Sequence, residues 1–260
     1  MYFGMGTFGT GLDTGMSFTL GAVVSGSVIV RQLRKDTGLS TAHGRFSLKT
    51  FSHLFYNGSS EGLTEIATGV TAFLFNITLM KYVGAAGVAA FTLVDYLMFI
   101  GTSIILGISN GTAPIISYNW GARYMSRVKG IVRLALVSNL MCGAVMIFLL
   151  WVCGRTAVGL FIDSAESQVI GLAVRGARFM SLAFLFNGFN ILASSFFTAI
   201  DKPGLSLVVA SLRGPVLLVA GILSLPRWFG VDGVWLAMPL TDALTAAVVL
   251  LLTIKWRKRI

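Results

Sequence analysis

"AGVAAFTLVDYLMFIGTSIILGISNGTAPIISYNWGARYMSRVK", residues 86–129, decides how the chain is read. Its apolar part, 86–113, carries a single charge, Asp95. Eighteen or more consecutive, largely apolar residues are enough to cross a bilayer as a helix. The stretch then changes character at Pro114, Tyr118, Asn119 and Gly121, and ends on Arg123, Arg127 and Lys129. A soluble core helix has no use for that order. A membrane helix does: proline can kink its inner end, and the bases fix that end at one membrane face.

The pattern recurs along all 260 residues. Apolar runs stand at approximately 5–30, 60–81, 86–113, 130–153, 174–200, 204–225 and 232–254, about seven in all. Hydrophobic residues make up 55% of the chain and charged ones 12%. Soluble domains carry about 25% charged residues, so the material for a water-facing surface is missing. Strand-type alternation is absent, and lipid admits only helices or closed barrels. The expectation is an all-α, polytopic transmembrane bundle, one orphan helix followed by a six-helix lobe.

The net charge of +10 invites a nucleic-acid reading, but its placement argues against one. The gaps after the first, third and fifth runs, with the C-terminal tail, hold fourteen bases from Arg31 to Arg259. The gaps on the other side hold five: Lys81, Arg155, Arg175, Arg178 and Arg227. Such a bias is the positive-inside rule, which sets the C-terminus in the cytoplasm and the N-terminus outside. The partners implied are the lipid bilayer, with multi-pass insertion, and no nucleic acid. No base precedes Arg31. A signal peptide opens on a positive region, so the first run reads as a helix belonging to a longer protein.

The expected layout is residues 1–30 as the orphan helix, 31–58 as a basic cytoplasmic linker, 59–254 as the lobe and 255–260 as a basic tail. Within the linker Arg45, Lys49 and His53 share one helical face, and Leu48, Phe51, Leu54 and Phe55 another, the pattern of an interfacial helix. Ser59 or Ser60 is placed to cap the second run. Trp151, Trp228, Trp235 and Trp256 fall near run ends, where aromatic belts lie.

Chemical motifs are thin. Residues 4–9, "GMGTFG", fit a dinucleotide fingerprint in letters only, since no strand precedes them. Cys142 and Cys153 share one helix roughly 16 Å apart, beyond disulfide reach. His43 and His53 have no carboxylate cluster for a metal and no nucleophile to serve. Neither an enzyme nor a cofactor is indicated, beyond a coupling ion.

The informative residues are the charges inside lipid. Glu65, Asp95, Arg213 and Asp242 lie within apolar runs, and Asp13 within the first. Each costs about 2.5–3.5 kcal/mol or more at the bilayer centre, so each is expected to face the bundle interior. Asp95, Asp242 and Arg213 approach the midplane, as do Asn187 and Asn190 in "FLFNGFN". An Arg213 salt bridge to Asp242 or Asp95 is the structural reading of these charges. Glu65 has no partner at its depth, which favours a functional reading. An intramembrane carboxylate can carry a proton or bind a cation.

"SSEGLTEIATGVTAFLFN", "GISNGTAPIISYNWGA", "FNGFNILASSFFTAIDKPGLSLVVASLRG" and "GVDGVWLAMPLTDALT" together resemble the MATE (multidrug and toxic compound extrusion) transporters, from about residue 5 to 254. Members have twelve helices in two related lobes. The resemblance implies the last helix of a first lobe, the inter-lobe linker and a complete second lobe, with the rest of the first lobe as a missing partner. It implies export of small, often cationic, organic compounds across a bacterial inner membrane, driven by a proton or sodium gradient. Glu65 matches an acidic position of the seventh helix. The tenth helix offers Asn187 and Asn190 where some members carry a carboxylate, which leans toward proton coupling. Asn110 and Ala113 stand where glutamines are frequent. Phe73, Phe75, Met98 and Phe99 are candidate walls of an apolar cavity. Two alternatives stand beside this: a lipid-linked precursor flippase of related fold, and a fragment whose role is packing against a partner lobe.

Overall fold

The computed structural model describes residues 6–35, 47–162 and 167–257, and the chain divides into two units at residues 48 and 49. The first unit contains α1 (Gly6–Lys35), whose most apolar part is Gly15–Val28. The "GMGTFG" stretch is helical from Gly6 on. The side chain of Asp13, together with His43, Arg45 and the last three residues, falls outside the described residues.

The second unit is helical almost throughout. It runs α2 (Leu48–Val83), α3 (Ala85–Gly121), α4 (Met125–Val152), α5 (Gly154–Gly159), α6 (Ser167–Ser181), α7 (Phe184–Ala199), α8 (Pro203–Ser211), a π-helical turn (Leu212–Val216), α9 (Leu217–Phe229) and α10 (Val231–Arg257). Five of its segments are long and apolar enough to span a membrane: α2, α3, α4, the run Pro203–Phe229, and α10. The pair α6 and α7, bent by 52° at Leu182–Ala183, makes a sixth. Apolar side chains such as Leu134, Phe148 and Leu251 stand exposed on the outside. The protein is a multi-pass membrane protein with an all-α fold.

Successive spans reverse through tight turns, and each of four carries one residue of positive φ: Gly84 (81°), Arg123 (61°), Asp201 (57°) and Gly230 (58°). At Gly84 and Gly230 the ψ values of -157° and -136° define a conformation open essentially only to glycine. The turns at Arg123 and Asp201, with the end of α2 that carries Lys49 and the end of α10 that carries Arg257, lie at one end of the bundle, here the basic end. Gly84, Gly230 and the α4–α5–α6 junction lie at the far end.

Several local expectations are corrected. Ser59 and Ser60 cap nothing: they lie inside α2, where the Ser59 hydroxyl donates to the Tyr56 carbonyl at 2.7 Å. From Leu48 the linker is already part of α2, so no separate interfacial helix stands there. A helix of 36 residues is about 54 Å long, well beyond the roughly 30 Å hydrocarbon core, so α2 projects past it. Pro114 lies inside α3, which runs seven residues further, to Gly121. Trp235 is no belt residue: it is fully buried, its indole packed over Gly176.

Packing at mid-bundle depends on small residues. A β-carbon at Gly143 of α4 would stand 2.6 Å from the Phe184 carbonyl oxygen, and one at Gly101 of α3 would meet the Phe184 ring at 2.6 Å. At Gly188 it would meet the Asn139 β-carbon at 2.8 Å. Helices α4 and α7 thus approach backbone to backbone, and α3 closes on the Phe184 ring at Gly101, the usual route to close helix association in lipid. By contrast α2 buries the smallest share of its most apolar stretch among the five unbroken spans. It is held through the Phe75–Phe91 ring stack (centroids 4.7 Å apart), through Leu79, and through Ala67 against Gly214.

Candidate functional site

The sequence of the eighth and ninth helices explains the centre of the lobe. Pro215 lacks an N–H and its ring collides with the carbonyl four residues back. The helix responds by widening for one turn, and the Leu217 N–H reaches back to the Leu212 carbonyl. Such π-helical turns recur at functional positions. Here the turn presents Arg213 inward. Its Nε donates to Asp242 Oδ1 of α10 at 2.9 Å, and its Nη2 donates to Asn187 Oδ1 of α7 at 2.9 Å.

Around that pair the polar groups interlock. Asn190 Nδ2 donates to the Asp242 carbonyl at 2.9 Å and to Asp242 Oδ1 at 3.3 Å. Asn187 Nδ2 reaches Thr102 Oγ1 of α3 at 3.5 Å. Asp242, Asn187 and Asn190 are at most 1% exposed. A lone buried carboxylate is costly, and the guanidinium offsets it. Asp242 Oδ2, Asn190 Oδ1 and Thr245 Oγ1 meet no protein partner among the described residues. A second buried knot lies toward the basic end, where Asn139 Nδ2 donates to Ser109 Oγ (3.0 Å) and to the Gly188 carbonyl (3.1 Å). The Ser195 hydroxyl donates to the Ser109 carbonyl at 3.1 Å.

Ser195 also lines a cavity of about 440 Å³ between α2, α3 and α7, with Glu61, Asn110, Ala113, Pro114, Ser117 and Thr198. Its lining is largely apolar, with Glu61, Asn110, Ser117, Ser195 and Thr198 supplying the polar groups. Among the described residues no basic side chain pairs with Glu61 or with Glu65, one helical turn further along α2.

Of six sequence candidates the structure brings four together: Arg213, Asp242, Asn187 and Asn190. Glu65 and Asp95 do not join them. Both are exposed on the outside of the described lobe, so neither faces its interior as expected. Phe75 and Met98 belong to the packed core, whereas Phe73 and Phe99 are exposed. Glu61, Thr102, Ser109 and Asn139 were not among the sequence candidates. The signal available was a second acidic residue at i−4 to Glu65 on one face, and uncharged polar residues inside lipid-length runs.

The sequence model of the MatE family matches residues 62–222, more than half of the chain. The chain belongs to the MatE family. It is 24% identical over 260 residues to the multidrug export protein MepA of Staphylococcus saprophyticus, covering 99% of this chain and 56% of MepA. The MepA of Staphylococcus haemolyticus is 25% identical, with coverages of 97% and 56%. Among solved structures, the outward-facing conformation of a multidrug resistance MATE family transporter of the MOP superfamily superimposes with a TM-score of 0.84 at 20% identity, over 96% of this chain and 56% of that one. A MOP superfamily transporter from Pyrococcus furiosus, described as having a binding pocket of reverse polarity, gives 0.83 at 19% identity, over 96% of this chain and 56% of that one. This MatE chain thus spans about half the length of the relatives it matches.

Proposed function

We propose that this chain acts as the second lobe of an exporter of organic, often cationic, compounds, driven by an inward proton or sodium gradient. The observation that carries the reading is the division of labour among its carboxylates. Asp242 is held through Oδ1 by Arg213, a built-in cation. Glu61 lines the cavity between α2, α3 and α7 and Glu65 follows one turn later, both without a basic partner among the described residues. A proton or a cationic substrate would compete for these two groups, and relative motion of two lobes would expose them to alternate sides. The names of the staphylococcal relatives support multidrug export as the class of activity. Asn187 and Asn190 in place of a second carboxylate favour a proton over sodium.

The test is transport itself. A two-lobe protein carrying this chain as its second half, reconstituted in liposomes preloaded with an organic cation, should move it when a pH or sodium gradient is imposed. Flux that ignores both gradients would overturn the coupling.

The proposed orientation sets the basic end in the cytoplasm. After removal of Cys142 and Cys153, a cysteine in place of Lys81 should react with an impermeant thiol reagent in intact cells. One in place of Lys202 should react only after permeabilisation. The reverse pattern would invert the topology.

A further inference from the structure

The far end of the bundle holds a second cavity, about 580 Å³, between the end of α4, α5 and α6. Its walls combine apolar side chains, Val174 and Phe179 among them, with Trp151 and three arginines, Arg155, Arg175 and Arg178. Arg175 is committed to Asp232 at the start of α10, through a 2.5 Å ion pair. Among the described residues Arg178 reaches only the Trp151 carbonyl, at 3.4 Å. Arg155 makes no ion pair with the described residues. The described groups therefore leave two positive charges unmatched beside an apolar wall, at the end of the spans where lipid headgroups lie.

We infer that this cavity is a binding site for an acidic phospholipid. The forked N–H groups of Arg155 and Arg178 take the phosphodiester, a geometry that guanidinium matches bidentately. Trp151 stands at headgroup level, as interfacial tryptophans do. Val174 and Phe179 receive the upper acyl chain. A free phosphate would satisfy the arginines but leave those walls in contact with water, so the apolar lining favours a lipid. The site is separate from the carboxylates of the proposed transport path, and it holds whether or not export is gradient-driven.

The experiment uses the purified 260-residue chain in zwitterionic detergent with equal phosphatidylglycerol and phosphatidylcholine, the bound lipid being counted by native mass spectrometry. The chain should retain phosphatidylglycerol over phosphatidylcholine by about tenfold or more, the scale of one charge-assisted hydrogen bond. Arg155→Ala with Arg178→Ala should abolish that preference. Arg155→Lys with Arg178→Lys should keep part of it, and Lys129→Ala with Arg133→Ala at the opposite end should leave it intact. Unchanged retention in the double alanine variant, while helicity and elution volume match the parent, would overturn the site. Millimolar inorganic phosphate should not displace the lipid; if it does, the site is one for a free anion. Asp163 and Glu166 follow closely in sequence. If the parent shows no lipid preference and Asp163→Asn with Glu166→Gln creates one, the chain's own carboxylates fill the arginines and the inference fails.

Discussion

Arg213→Leu should lower the stability of the purified lobe by about 3–5 kcal/mol, because it strands the Asp242 carboxylate at 1% exposure without its counter-ion. Thermal unfolding in detergent measures the loss. Asp242→Leu should cost less, since the Arg213 side chain is 21% exposed and its long stem can carry the charge outward. The double variant should recover most of the stability lost in Arg213→Leu, because two apolar side chains replace two buried charges. Additive losses in the double variant would show that the two residues act independently, and the pairing would have no energetic content. Arg213 also holds the Asn187 oxygen, so some loss should remain even in the double variant.

The second large effect concerns transport. In a two-lobe protein carrying this chain, Glu61→Gln or Glu65→Gln should reduce gradient-driven efflux about 5- to 150-fold per folded molecule, the range of an ordinary coupling free energy. Expression and insertion should persist, since glutamine preserves shape and neither carboxylate holds an ion pair among the described residues. Comparing the two identifies the residue that matters: the cavity favours Glu61, the resemblance favours Glu65. Asp95→Asn should leave transport per folded molecule near the parent's. If both glutamine variants transport normally and Asp95→Asn does not, the coupling group is on α3 and the α2 assignment fails.

What the sequence made legible follows from the cost of charge in lipid. One physical rule was enough to expect Arg213 to pair with Asp242 or Asp95, because each charge needed a partner at the same depth, and the structure pairs it with Asp242. The six spans of the lobe were legible for the same reason, as hydropathy sets them without tertiary knowledge. What escaped was set by direction. Nothing in the composition says that α2 turns Glu61 toward Asn110 and Ser195, or that Trp235 packs over Gly176 instead of standing at the membrane surface. Azimuth around a helix is chosen by neighbours, and apolar runs hydrophobic on every side carry little periodicity to reveal it. The π-helical turn has a local cause in Pro215 inside a span, while the direction in which Gly214 packs, against Ala67, is a tertiary contact.

The sparse packing of α2 has a mechanical meaning. A rod about 54 Å long, touching its neighbours through Ala67 near its middle and through Phe75 and Leu79 beyond it, leaves its basic half as a lever arm. A tilt of about 10° about Ala67 as fulcrum would swing the basic tip by roughly 5 Å without breaking a backbone hydrogen bond. At the basic end the tip is tethered by the exposed His53–Asp201 pair, 3.5 Å apart, a contact of the kind worth about 1 kcal/mol or less. Glu61 and Glu65 lie on the arm between tether and fulcrum. Any tilt of the rod therefore carries both carboxylates with it.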